Sequence, residues 1–169
     1  LDPTVTIIQG INSYIKKNPK KIVFADGEDE NTLKAAIAFK KSGLGIPVLV
    51  AKEKVVKERL KEIGYSEDFN IEIVNLTSKE KREKYSKYIF DKLHGDKGEL
   101  EPDVYELYSR DCYKLIKKDR VVWGSCMVSC GDADAMVTGN TRRYGQSLDK
   151  VLKVVDSRPG EIMFGLNMI

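Results

Sequence analysis

The residues best placed to do chemistry lie in Thr138-Gly139-Asn140-Thr141-Arg142-Arg143-Tyr144, where hydroxyl, amide and guanidinium groups follow a short apolar run and precede a helical pattern. Backbone N–H groups at a helix N-terminus, reinforced by arginine, make a natural anion seat. These seven residues are therefore the candidate ligand-binding site, for a small anionic metabolite. One glycine and no Walker lysine separate the stretch from a nucleotide P-loop. Cys126 and Cys130 are four apart and share a helix face, as metal ligands or as small buried residues would. No second pair accompanies them and His94, the single histidine, is distant in sequence, so the sequence predicts no metal site. Asp132 and Asp134 could act as an acid/base pair or as magnesium ligands. They stand at the entrance of a strand, however, whereas ligands of open α/β sheets gather at carboxyl ends, which favours a structural role. Asp26-Gly27-Glu28-Asp29-Glu30 follows the first strand; its acidity speaks against direct phosphate binding, and Asp29 suits a helix N-cap, with a role in a cleft still open. No residue is assigned a catalytic role.

The elements that must position these groups alternate. Residues 3–18 place Val5, Ile7, Ile8, Ile11 and Ile15 at helical intervals, predicting a lead-in helix over residues 1–18. KKIVFA reads as a buried strand, ENTLKAAIAFKKSG as a helix closed by glycine, IPVLVA as a second strand, KEKVVKERLKEIG as a second helix and IEIVN as a third strand. Such alternation predicts parallel strands with right-handed helical crossovers. Ser78 to Ile116 is a helical excursion, Asp119 to Cys130 a further helix, DADAMVTG a strand entering a loop, and QSLDKVLKVVDS a helix. EIMFGLNMI begins another apolar segment, and a strand buried on both faces needs a covering helix. The expectation is a truncated domain over residues 19–169, its C-terminal part missing.

With 169 residues, 41% hydrophobic and 33% charged, the chain has the composition of one folded domain or a piece of one. A net charge of +3, spread along the chain, excludes the concentrated basic footprint of a nucleic-acid binder. No stretch approaches the roughly 20 apolar residues of a membrane span, and the start lacks a secretory pattern. Three cysteines without framework spacing fit a reducing compartment, so a cytoplasmic location is expected.

Together, NPKKIVFADGEDENTLKAA, IPVLVAKEKVVKERLKEIG, WGSCMVSCGDADAMVTG and VVDSRPG resemble the phosphate acetyl/butyryl transferase family, from about residue 18 onward and in the family's order. FADGEDE and the helix ending NPKK are most similar to the transferase-like C-terminal domain of bacterial two-part malic enzymes. The resemblance implies a three-layer α/β/α fold with a mainly parallel sheet, of the isocitrate/isopropylmalate dehydrogenase-like phosphotransacetylase type. It implies a regulatory domain that responds to acetyl-CoA or an acyl phosphate and supports homo-oligomers, while NADP and magnesium or manganese belong to a separate catalytic half that oxidatively decarboxylates malate to pyruvate. No cofactor is assigned to this segment. The family's catalytic Ser/Arg and Asp fall in the absent C-terminal part, and His94 stands ahead of Lys97-Gly98 where free-standing transferases tend to carry arginine. Both departures imply that acyl transfer is absent; the alternative is a phosphate acetyltransferase or butyryltransferase moving an acyl group between phosphate and coenzyme A.

Overall fold

The computed structural model describes residues 3–65, 70–95 and 100–162. Four parallel strands, β1 (Lys20–Phe24), β2 (Gly45–Val50), β3 (Glu72–Val74) and β4 (Ala135–Val137), form one sheet in the order β3-β2-β1-β4. Helix α1 (Pro3–Lys17) leads in, α2 (Glu30–Lys41) joins β1 to β2, and α3 (Glu53–Glu62) joins β2 to β3. The excursion after β3 supplies α4 (Lys79–His94), α5 (Pro102–Lys118) and α6 (Arg120–Ser129), and α7 (Tyr144–Leu152) follows β4.

Alternation along the strands distributes side chains to two cores. Val23, Val48, Val50 and Val74 face Tyr85, Ile89, Cys112, Ile116, Trp123 and Cys126 on α4, α5 and α6. Phe24, Leu49 and Ala51 face Leu33, Ala36 and Ile37 on α2 and Val56 and Leu60 on α3. This is the three-layer α/β/α arrangement expected from the sequence. Full burial of each large aliphatic side chain contributes about 1.5–3 kcal/mol, so both faces of β1 and β2 must stay covered. Gly124 lets α6 approach closely: a Cβ there would stand 2.6 Å from Met136 Sδ and 3.2 Å from Val23 Cγ1.

The last helix differs from the sequence reading. It starts at Tyr144 rather than Gln146 and stops at Leu152, with Val154 turned into the core. Helix α1 keeps Val5, Ile7, Ile8, Ile11 and Tyr14 exposed, although their spacing marks an apolar face. The apolar segment expected at the end falls largely in residues 163–169, outside the described residues. Among the described residues, no helix is long and apolar enough to cross a membrane.

Candidate functional site

The chain winds outward from β1 through β2 to β3, then returns to place β4 on the other side of β1. That reversal puts a topological switch point at the carboxyl ends of β1 and β4, where open α/β sheets form a ligand crevice. Ala25 N–H donates to Val137 O at 3.0 Å, extending the pairing until both strands turn into loops. Asp26 leaves one strand and Thr138 the other.

The two loops interlock. Asp26, only 6% exposed, accepts at Oδ2 from Gly139 N–H (3.0 Å), Asn140 N–H (3.2 Å) and Thr138 Oγ1 (3.4 Å), and at Oδ1 from Thr141 Oγ1. Gly139, at φ 108°, takes a conformation that L side chains rarely adopt and so aims successive N–H groups at one point. Asp29 caps α2 by accepting Thr32 N–H at 2.9 Å and also accepts from Asn140 Nδ2. The Thr32 N–H, ahead of its side-chain partners, holds the Asp29 carboxyl below its ordinary value despite some burial. Donors of Thr138, Gly139, Asn140 and Thr141 thus converge on one point, and the protein's own Asp26 carboxylate sits on them. Asp26-Gly27-Glu28-Asp29-Glu30 is both the turn after β1 and the wall opposite this loop.

Arg142 donates through one guanidinium nitrogen to Asp119 Oδ2 at 2.9 Å and Oδ1 at 3.2 Å. Asp119 caps α6 by accepting Val121 N–H at 3.0 Å and Val122 N–H at 3.3 Å, with Lys150 Nζ 3.6 Å away. Burial pushes its carboxyl up, but the Arg142 hydrogen bond, the Val122 N–H and the charges of Arg142 and Lys150 outweigh it and hold it below the ordinary value. The sequence reading missed Asp119 as a partner of Arg142; its signal was an aspartate directly before an apolar helix.

Arg143 opens α7 without a side-chain cap bond, and Tyr144 is 79% exposed. Beside them lies a hollow of about 280 Å³ lined by Thr138, Gly139, Tyr144, Ser147, Leu148 and Val151. Ser147 Oγ is buried there without a hydrogen-bond partner. Among the described residues, this lining combines hydroxyls, the Tyr144 phenol included, with an apolar floor and has no carboxylate, imidazole, amine or thiol.

The other candidates are structural in their surroundings. Cys126 is fully buried and Cys130 half-buried; burial pushes both thiols up. Among the described residues, no cluster of three metal-ligating side chains occurs. Asp132 accepts from Lys84 Nζ at 2.8 Å and from Tyr85 OH, tying the end of α6 to α4. Asp134 accepts Lys21 N–H at 2.8 Å and donates its own N–H to Lys21 O at 2.9 Å, which docks the start of β4 on β1. His94 stacks on Tyr108 with centroids 4.1 Å apart, between α4 and α5.

Comparison with known proteins agrees with this architecture. The family model described as "Phosphate acetyl/butaryl transferase" matches residues 6–168. The chain is 34% identical over 99% of its length to an NADP-dependent malic enzyme of Rhizobium meliloti (strain 1021), covering 21% of that protein. It is 32% identical over 100% of its length to a probable NADP-dependent malic enzyme of Rickettsia prowazekii (strain Madrid E), again covering 21%. A phosphotransacetylase from Streptococcus pyogenes superposes with a TM-score of 0.73 at 23% identity, covering 94% of this chain and 44% of that one, a likeness of fold. The chain thus spans about a fifth of the malic enzymes it matches.

Proposed function

Because the chain belongs to the phosphate acetyl/butyryl transferase family and is similar to the transferase-like region of NADP-dependent malic enzymes, we propose that it senses an anionic metabolite at this crevice and does not transfer an acyl group. The observation that carries this reading is the seating of Asp26 on the Gly139 and Asn140 N–H groups. Acyl transfer needs free donors for the developing oxyanion and a base for the thiol. Here the Gly139 and Asn140 N–H groups are already engaged by a carboxylate, and among the described residues the adjoining hollow is lined by no carboxylate, imidazole, amine or thiol.

The effector proposed is acetyl-CoA or an acyl phosphate, contacting the Thr138 to Tyr144 loop. Arg143 and Tyr144, at the uncapped start of α7, are exposed and have no hydrogen bond to Asp26, and Leu148 and Val151 offer an apolar floor. Malate oxidation with NADP and a divalent cation would belong to the rest of a longer polypeptide, assembled as a homo-oligomer. An effector can change that distant reaction only by binding two states of the assembly with different affinity. Three free thiols suit the cytoplasm as the setting.

The test is malate-dependent NADP reduction by the complete natural polypeptide, with magnesium or manganese present and acetyl-CoA titrated in. A rate that responds to acetyl-CoA, with the response weakened by Arg143→Ala, is the expected result. Acetyl exchange between phosphate and coenzyme A without malate turnover would place the protein with the transferases instead.

A further inference from the structure

A second opening lies on the carboxyl side of the sheet, over β2 and β3 rather than at the switch point. It is a cavity of about 340 Å³ lined by Ala51 and Lys52 after β2, Asn75, Leu76 and Thr77 after β3, Glu28, Arg82 of α4, Lys117 and Lys118 of α5 and Arg120 of α6. Five cationic side chains converge on it from three places in the sequence, Lys52, Arg82 and the stretch from Lys117 to Arg120, against one carboxylate. The sequence reading did not single out any of them, because they are scattered through a chain whose net charge is only +3.

Helix stability does not account for this clustering. Lys117 and Lys118 end α5, where a cation suits the helix dipole, but Lys52 opens α3 and Arg120 is the first residue of α6. Cations at helix N-termini are disfavoured by the same dipole. The cluster is also incompletely neutralised. Glu28 pairs with Arg120 and accepts Lys52 N–H at 2.9 Å, which fills its two oxygens. Burial pushes the Glu28 carboxyl up, but the Lys52 N–H and the Arg120 guanidinium outweigh it and keep it ionised. Arg82 is held in orientation by Leu76 O and by Tyr113 OH at 3.4 Å. The ammonium groups of Lys117 and Lys118 have no ion-pair partner among the described residues, and both side chains are exposed.

We propose that this cavity binds a small ligand carrying two adjacent phosphate groups. A phosphate group brings about −1.5 to −2 charges at neutral pH, so one cannot balance five cations less one carboxylate and two nearly can. The cavity lies at the small end of ligand sites, which run from about 300 to 1,000 Å³, and so is larger than a single ion requires. Arg82 and Arg120, anchored by hydrogen bonds, supply fixed forks, while Lys117 and Lys118 supply mobile charges at the mouth. Leu76 and Ala51 leave room for an apolar or flat attachment. The inference does not use the Thr138 to Tyr144 loop and stands or falls separately from the sensing role proposed for it.

The experiment is calorimetric titration of the complete polypeptide with inorganic pyrophosphate, and with inorganic phosphate for comparison, at two salt concentrations. Saturable 1:1 pyrophosphate binding is expected, about tenfold or more tighter than phosphate and weaker at high salt. Lys117→Gln with Lys118→Gln should weaken it by about tenfold or more, since both lost contacts are charge-assisted. Removing the same charge from α1, with Lys16→Gln and Lys17→Gln, should leave it unchanged. Both pairs lie on exposed helix ends, so circular dichroism should find the variants folded. Pyrophosphate binding no tighter than phosphate, or equal losses in the two double variants, would overturn the proposal. A malate reaction indifferent to acetyl-CoA would leave it standing.

Discussion

Asp26 Oδ2 accepts the Gly139 N–H at 3.0 Å across 113 residues of sequence, joining the loop after the first strand to the loop after the fourth. Neighbouring Asn140 N–H and the hydroxyls of Thr138 and Thr141 complete the cradle, so this carboxylate, together with Asp29 on Asn140 Nδ2, ties the two loops at the switch point to each other.

Replacing Asp26 by Ala should therefore lower stability by about 1–3 kcal/mol, because part-buried donors lose a charged acceptor. Asp26→Asn, which retains one acceptor oxygen, should cost less. Urea denaturation followed through Trp123, the single tryptophan and fully buried, measures both. Equal stability of wild type and Asp26→Ala would mean that water serves these donors equally well.

Asp119 combines a helix cap with an ion pair, and two substitutions separate the two roles. Asparagine caps as well as aspartate, so Asp119→Asn should remove only the charge, at about 1–2 kcal/mol after discounting for solvent around Arg142. Asp119→Ala should cost about 1 kcal/mol more through loss of the cap.

The pH dependence of that charge has a definite sign. The folded carboxyl of Asp119 lies below its unfolded value, so its contribution is full above about pH 3.9 and is lost as the pH falls through the folded value. The stability gap between wild type and Asp119→Asn should be constant from pH 5 to 7 and narrow below about pH 3.9. A gap that widened on acidification would contradict the ion pair. Thermal melts across that range provide the measurement.

Close approach of α6 to the sheet makes Gly124→Ala a test of packing. Its Cβ would meet Met136 Sδ at 2.6 Å, and overfilling of this kind costs about 1–3 kcal/mol. Met136→Ala in the same molecule should recover part of the loss, giving a favourable coupling in a double-mutant cycle.

The cysteines should behave as structural thiols. Burial raises Cys112, Cys126 and Cys130 above the ordinary thiol value, so alkylation of the native protein should be slow, with Cys130, the most exposed, reacting first. Mass spectrometry of iodoacetamide-treated protein reads the order directly. Rapid modification of Cys126 would contradict its place in the core.

Much of the fold was legible because its signals are local. Continuous apolar runs at residues 22–25 and 47–51 announce strands buried on both faces, and Asp29, Ser78 and Asp119 each precede a helix that they cap. The site was legible only in part. The donors of residues 138–141 could be read from residue type and from the glycine, but their occupant could not. Asp26 belonged to a stretch whose acidity spoke against direct phosphate binding and left only a role in the cleft open. Nothing in the residues around Arg142 announced Asp119, 23 residues earlier, as the partner of its guanidinium.

By itself, the sequence determined which segments become strands and helices, that the strands run parallel, and that a polar loop with one glycine follows the last of them. Periodicity, caps and turn residues act over a few positions, so one chain suffices to read them. Tertiary structure alone decided that β4 returns beside β1, that Asp26 closes the crevice formed there, and that Lys52, Arg82, Lys117, Lys118 and Arg120 meet around one cavity. Electrostatic and hydrogen-bonding partners are chosen by distance in space, and only the packed sheet sets that distance.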